Sequence, residues 1–169
     1  AFLHRADGQT SDCDHLLSPI ELGYTKPNFD EVGHCSFMQP ELFQFPVRVY
    51  YEDTDAGGIV YHANYLKFLE RARTEWLRSL GIEQDVWLEQ SIAFVVRHMD
   101  IDFRHAARFN QQLLVTNRIA DLKRASVVFA QQIQDETGRL IMSAKVTIAC
   151  VNLAGMKPTA FPDVIKGVF

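Results

Sequence analysis

Residues 54–76 read TDAGGIVYHANYLKFLERARTEW, an Asp-Gly-Gly reversal that runs straight into an amphipathic segment. Tyr65, Leu69, Ala72, Trp76 and Leu80 recur at three- and four-residue intervals, with Lys67, Arg71, Arg73, Glu75 and Arg78 placed on the polar side. This period predicts a helix with one apolar face. Asn64 is its expected N-cap and Gly81 its expected C′ residue, which gives a helix of about 16 residues with both ends marked.

Upstream, Phe45, Val47, Val49 and Tyr51 alternate with Arg48, Tyr50 and Glu52, the pattern of a half-buried strand. Downstream the chain reads as four more strands, 92–104, 112–121, 126–134 and 140–152, with a Gly-containing turn over 135–139. One helix followed by four long strands lacks the βαβ alternation of a parallel sheet. The expected class is therefore α+β: an antiparallel five-stranded sheet wrapped around one long central helix, the hotdog fold, over 43–169. The uncovered sheet face and the strand edges call for a second copy of the chain, so a homodimer or homotetramer is expected.

Residues 1–42 show no sustained period and are punctuated by glycine and proline, which reads as an irregular N-terminal arm. Cys13, His15, His34 and Cys35 fall in it, but their spacings differ from the usual C-x-x-C pairs of zinc sites, and no metal is expected. Across the chain, a net charge of −4 and a pI near 5.8 argue against a nucleic-acid surface. Three widely spaced cysteines fit a reducing compartment, and no apolar run reaches the ~18 residues of a membrane span. A cytoplasmic protein is expected.

Four chemistries compete for Asp55. Turn capping is the commonest use of Asp beside Gly-Gly, but here Tyr61, His62 and Asn64 bring further polar groups to the same point. Asp53-Thr54-Asp55 matches the D-x-D of haloacid-dehalogenase-type phosphatases, yet that motif ends a buried parallel strand and this chain has no βαβ units. A metal on His62 with Asp53 or Asp55 lacks a third ligand at a recognisable spacing. Thioester hydrolysis needs least: the leaving thiol has a pKa of about 8.5 by analogy with cysteine, so one carboxylate and an oxyanion site suffice. Asp55 can activate a water or attack the carbonyl itself. No G-x-S-x-G elbow offers a serine route.

At Arg48-Val49, Thr54-Asp55, Gly58-Ile59-Val60, His62 and Tyr65 the sequence resembles the acyl-CoA thioesterases of the 4-hydroxybenzoyl-CoA thioesterase type, and most closely their YbgC-like branch. The stretch VRVYYEDTDAGGIVYHANYLKFLERARTEWLR carries the likeness, which extends to AFVVRHMDIDF and MKPTAFP. The resemblance implies hydrolysis of an acyl-CoA, with acyl carrier protein as an alternative donor, at a subunit interface. It places the catalytic carboxylate on Asp55 and the oxyanion donor among amides around Gly58 and Ile59 or near Ala93. His62 and Tyr51 would orient substrate or carboxylate; a helix-start hydrogen bonder and a core aromatic are their alternative readings. By the same resemblance Lys123, Arg124 and Ser126, with Lys157 as a weaker addition, would meet the CoA phosphates. Glu70 occupies a position where other hotdog families carry an acid, although neighbouring Arg71 and Arg73 favour a surface ion pair. No cofactor is implied beyond the CoA of the substrate. The alternative class is a non-catalytic acyl-CoA or acyl-carrier-protein binding module.

Overall fold

The computed structural model describes residues 42–167. The arm, and with it Cys13, His15, His34 and Cys35, lies outside the described residues save for Leu42. The described chain runs β1 (Phe43–Arg48), a short 3-10 turn (Tyr51–Asp53), α1 (His62–Ser79), α2 (Gln84–Glu89) and β2 (Ile92–Phe103), continuing through β3 (Gln112–Leu122), β4 (Ser126–Asp135), β5 (Leu140–Asn152), β6 (Lys157–Pro158) and α3 (Asp163–Lys166). The sheet order is β1-β3-β4-β5-β2, every pairing antiparallel, with the two-residue β6 added to β5.

The period-2 pattern of the strands sends Val115, Phe129, Ile133, Met142 and Val146 into the core. Against them α1 sets Tyr65, Phe68, Leu69, Ala72, Trp76 and Leu77, all buried. Trp76 stacks on Phe43 of β1 and meets Phe129 of β4 edge-on, with ring centroids 6.2 and 5.7 Å apart. Full burial of side chains such as Phe68 and Leu69 contributes about 1.5–3 kcal/mol each, and this face holds the helix to the sheet.

Several expectations are corrected by the coordinates. The helix has 18 residues and begins at His62, with Tyr61 at its N-cap. Asn64 is therefore inside the first turn, and its buried Nδ2 donates to the Asp53 carbonyl at 3.0 Å instead of capping its own helix. Strand β1 stops at Arg48, so Tyr51 leaves the core face and stands 81% exposed on the 3-10 turn. Arg73, placed by sequence on the polar side, is buried; Gln131 on β4 supplies the acceptor that makes its burial tolerable. Helices α2 and α3 and strand β6 had no sequence signal strong enough to predict. Gly81 does follow the helix in a left-handed conformation, at φ +76°.

Register divides the sheet into two ends. Arg48 pairs with Gln112, so the chain leaving β1 enters the end where β3 begins. The β3–β4 connection lies at the other end, on the order of 30 Å away along β3 at about 3.4 Å per residue. Strand β6 shares that far end, since Lys157 pairs with Asn152, which in turn pairs with Ile92.

Candidate active site

Between Asp53 and Tyr61 the backbone doubles back on itself. Thr54 and Val60 form an antiparallel bridge, the Asp55 amide donates to Ile59 O at 2.9 Å, and the Tyr61 amide donates to Asp53 O at 2.9 Å. Gly58 closes the reversal by donating to Asp55 O, and its φ of +71° is the left-handed region that glycine enters without steric cost. At Gly57 the constraint is proximity instead: a Cβ there would sit 3.1 Å from Asp55 Oδ1 and push the carboxylate by a few tenths of an ångström.

The two aspartates of the motif have separate fates. Asp53 is buried; its Oδ2 accepts the Tyr50 amide at 2.9 Å, and its carbonyl is held by Tyr61 and Asn64. Its carboxylate is consumed in fixing the turn. Asp55 is exposed, and among the described residues its Oδ1 accepts only the Gly57 amide, at 2.8 Å. The turn-capping role and an accessible carboxylate coexist in one residue, because a carboxylate has lone pairs to spare after one amide contact.

A second loop braces the hairpin. Val60 N–H donates to Ala107 O at 2.9 Å, Ile59 bridges to Arg108, and the Ala107 amide donates to the buried Tyr65 hydroxyl at 2.9 Å. Burial raises the Tyr65 phenol above its ordinary 10.0, while the Ala107 amide works in the opposite direction. Tyr65 is thus a neutral strut from α1 to the loop.

Of the expected oxyanion donors, Gly58 N–H is spent on Asp55 O, whereas Ile59 N–H has no hydrogen-bond partner among the described residues. Sequence reasoning missed a further pair. With α1 starting at His62, the backbone amides of His62 and Ala63 have no carbonyl one turn earlier to bond, and they stand at the positive end of an 18-residue helix dipole. The signal was present in the segment YHAN, but an N-cap assigned to Asn64 displaced the helix start by three residues. The His62 ring is exposed and packs on Tyr61 at 4.4 Å, and Tyr51 packs edge-on against Phe109 at 6.0 Å. Both side chains line the surface around the Asp55 hairpin.

The residues expected at the CoA phosphates are not brought to Asp55 within one chain. Lys123, Arg124 and Ser126 form the β3–β4 turn at the far end, where Lys123 N–H donates to Ser126 O at 2.8 Å and Arg124 O accepts the Phe161 amide at 2.9 Å. Lys157 and Ala93 belong to the same far end, with Ala93 opposite Val151. Beside them lies an apolar cleft of about 40 Å³ lined by Leu77, Phe94, Val127, Phe129 and Phe161, with Glu70 and Arg73 at its polar side. Glu70 does pair with Arg73, as an ion pair was expected to form, yet it faces this cleft with half its side chain exposed. Arg73 continues inward to Gln131 Oε1 at 2.6 Å, and Gln131 Nε2 donates to Leu69 O at 3.1 Å and to Asn117 Oδ1.

A curled antiparallel sheet with one long buried helix packed against it defines a hotdog-fold protein. The chain belongs to the Thioesterase-like superfamily, whose family model matches residues 49–169. It is 50% identical over 128 residues to the acyl-CoA thioesterase YbgC of Haemophilus influenzae, covering 75% of this chain and 93% of that protein. It is 35% identical over 128 residues to the acyl-CoA thioesterase YbgC of Helicobacter pylori, covering 70% and 93%. Among solved structures, a probable thioesterase from Bartonella henselae matches with a TM-score of 0.67 at 38% identity, over 72% of this chain and 99% of that one. A 1,4-dihydroxy-2-naphthoyl-CoA thioesterase from Synechocystis matches with a TM-score of 0.72 at 25% identity, over 75% and 94%. The chain is a YbgC-like member of this superfamily.

Proposed function

We propose that Asp55 is the carboxylate through which this acyl-CoA thioesterase hydrolyses its substrate to a free acid and CoA. The observation that carries the reading is the placement of an exposed carboxylate, fixed by a single amide contact, on a hairpin that leads directly into the N-terminus of α1. A thioester carbonyl set between Asp55 and the helix start meets a base or nucleophile on one side. On the other it meets the free amides of His62 and Ala63, or that of Ile59, where negative charge develops on oxygen. The thiolate departs without a strong general acid, so the route needs no metal or redox group.

The substrate reaches across two copies of the chain. Asp55 and the basic turn Lys123-Arg124 occupy opposite ends of one sheet, so a single CoA thioester engages the Asp55 of one copy and the cleft and basic turn of another. A homodimer is therefore the active unit in this reading. His62 and Tyr51 flank the reacting end, while Lys123, Arg124, Ser126 and Lys157 meet the nucleotide end.

The test is hydrolysis of an acyl-CoA series by the parent and by Asp55→Asn, which keeps an oxygen for the Gly57 amide and removes the charge. A fall in kcat of about 10²–10⁴ with binding retained is expected. Equal turnover by Asp55→Asn would sink the assignment, and binding without turnover by the parent would establish the non-catalytic module instead.

A further inference from the structure

The loop between β2 and β3 turns at a tip that is held from several directions. Asn110 N–H donates to Val49 O at 3.0 Å, Arg48 Nη1 donates to Asn110 O at 2.7 Å, and the Gln111 side chain accepts the Arg108 amide at 2.7 Å. Asn110 itself stands at φ +67°, in the left-handed region that asparagine enters more readily than most residues with a side chain. A tip fixed this firmly nevertheless presents an apolar ring to the surface: Phe109 is 56% exposed.

That ring meets Tyr51 edge-on, and Tyr51 is exposed as well. The pair is joined to the Asp55 hairpin from both sides. The Tyr51 carbonyl accepts the Thr54 amide at 3.2 Å and the Thr54 hydroxyl at 2.8 Å, one residue before Asp55. Arg108, one residue before Phe109, bridges Ile59, whose carbonyl accepts the Asp55 amide at 2.9 Å. Neither ring takes part in the backbone bonds that brace the hairpin. Two touching aromatic rings left open to water beside the Asp55 carboxylate form a ready apolar contact for whatever is held there.

The direction of the substrate decides which group meets the pair. The Arg124 carbonyl of the basic turn accepts the Phe161 amide, and Phe161 lines the apolar cleft, so turn and cleft adjoin in one copy. In the shared-site reading the nucleotide and the amide-bearing arm that follows it lie on that copy, where Glu70 and Arg73 offer polar partners. Beyond the carbonyl, the acyl group then runs over the copy that supplies Asp55. We propose that Phe109, set against Tyr51 by the Asn110 turn, is a specificity-determining residue that packs against the apolar acyl group of the substrate. Asn110 acts through it, as a positioning residue. The inference rests on the Asp55 reading and on the reach of the substrate across two copies, and it adds the part of the site that favours acyl-CoA over free CoA.

The test is the affinity of the full chain, by calorimetry, for CoA and for a ketone analogue of hexanoyl-CoA that carries a methylene between carbonyl and sulfur and cannot be hydrolysed. The ratio of the two affinities reports the acyl contact alone. Phe109→Ala should lower that ratio by about tenfold, the lower end of what an apolar side chain gains on burial, and leave CoA binding near the parent value. Phe109→Leu, still apolar, should restore most of it. Asn110→Gly, which keeps the left-handed turn, should hold the parent ratio, and Asn110→Val, which resists that turn, should lower it. A parent that binds both ligands equally, a ratio unmoved by Phe109→Ala, or a sedimentation mass that falls with Phe109→Ala and so makes the pair a contact between copies would each overturn the proposal. Turnover by Asp55→Asn is read separately: if it matches the parent, the carboxylate reading fails while the affinity ratio still decides Phe109.

Discussion

The buried Tyr65 hydroxyl accepts the Ala107 amide at 2.9 Å and thereby ties the first turn of α1 to the loop that braces the Asp55 hairpin. Ala107 is itself fully buried, so Tyr65→Phe leaves an N–H without an acceptor and should cost about 1–3 kcal/mol. The expected readout is a lower urea midpoint with an unchanged m-value. A pH dependence follows from the same residue. The folded state holds the phenol proton above the 10.0 of the unfolded chain, so its contribution is complete below that pH and is lost as pH rises through the higher folded value. The urea midpoint of the parent should therefore fall more steeply above about pH 10 than that of Tyr65→Phe. Parallel slopes would show that this phenol is not the group responsible.

The paired glycines should separate stability from chemistry. Gly58→Ala meets no atom within 4 Å but must adopt φ +71°, which costs on the order of 1 kcal/mol, and Gly58→Asn should recover part of that loss because asparagine enters the left-handed region more readily. Gly57→Ala has no such backbone penalty, yet its Cβ presses on the Asp55 carboxylate. Gly57→Ala should lower kcat while leaving the thermal midpoint near the parent value, and Gly58→Ala should lower the midpoint more. A reversal of that order would mean that Asp55 tolerates displacement and is not held for reaction.

Element order was legible in the sequence because strand alternation and the Tyr65-to-Leu80 period are strong local signals. The span 140–152 coincides with β5 and Gly81 ends α1 as expected. The helix start was misread because Asn64 has the side chain of an N-cap, while its real acceptor, Asp53 O, is eleven residues back and invisible to local pattern. Arg73 was misread for a similar reason: a charged residue marks a solvated face unless a distant partner such as Gln131 meets it. The exposed reversal that carries Asp55 was legible from its Gly-Gly neighbours. The opposite placement of Lys123 and Arg124 was not, because it depends on the register of β3 against β1.

The polar chain Glu70–Arg73–Gln131–Asn117 makes a second stability prediction. Burial lowers the pKa of the Arg73 guanidinium and the Glu70 carboxylate works against that shift, so the ion is retained at a desolvation cost. Arg73→Met alone strands Gln131 Oε1 and should destabilise by about 1–3 kcal/mol. Asn117 Nδ2 already lacks a hydrogen-bond partner among the described residues. Replacing the set together, as Arg73→Met, Gln131→Leu and Asn117→Leu, should recover most of the loss, since an apolar set leaves no stranded group. Additive losses in a denaturation series would instead show that the network stabilises the fold outright.

The proposed sharing of the active site between copies can be tested by complementation. Asp55→Asn removes the carboxylate, whereas Lys123→Glu with Arg124→Glu repels the CoA phosphates; each variant alone should be weak for a different reason. In a mixed dimer built from one of each, one site combines both lesions and the other combines the intact Asp55 with the intact basic turn. Equal mixing after subunit exchange makes half of the dimers hybrid, so activity should climb to roughly a quarter of the parent value per site. The basic turn is exposed and its backbone contact to Phe161 uses the Arg124 carbonyl, so the charge reversal leaves the turn's backbone bonds in place and removes only the exposed Lys123–Asp121 ion pair, a contact worth little to stability. A mixture that shows only the sum of its two parents would place Asp55 and the basic turn in the service of one chain, against the separation of some 30 Å that the strand geometry imposes.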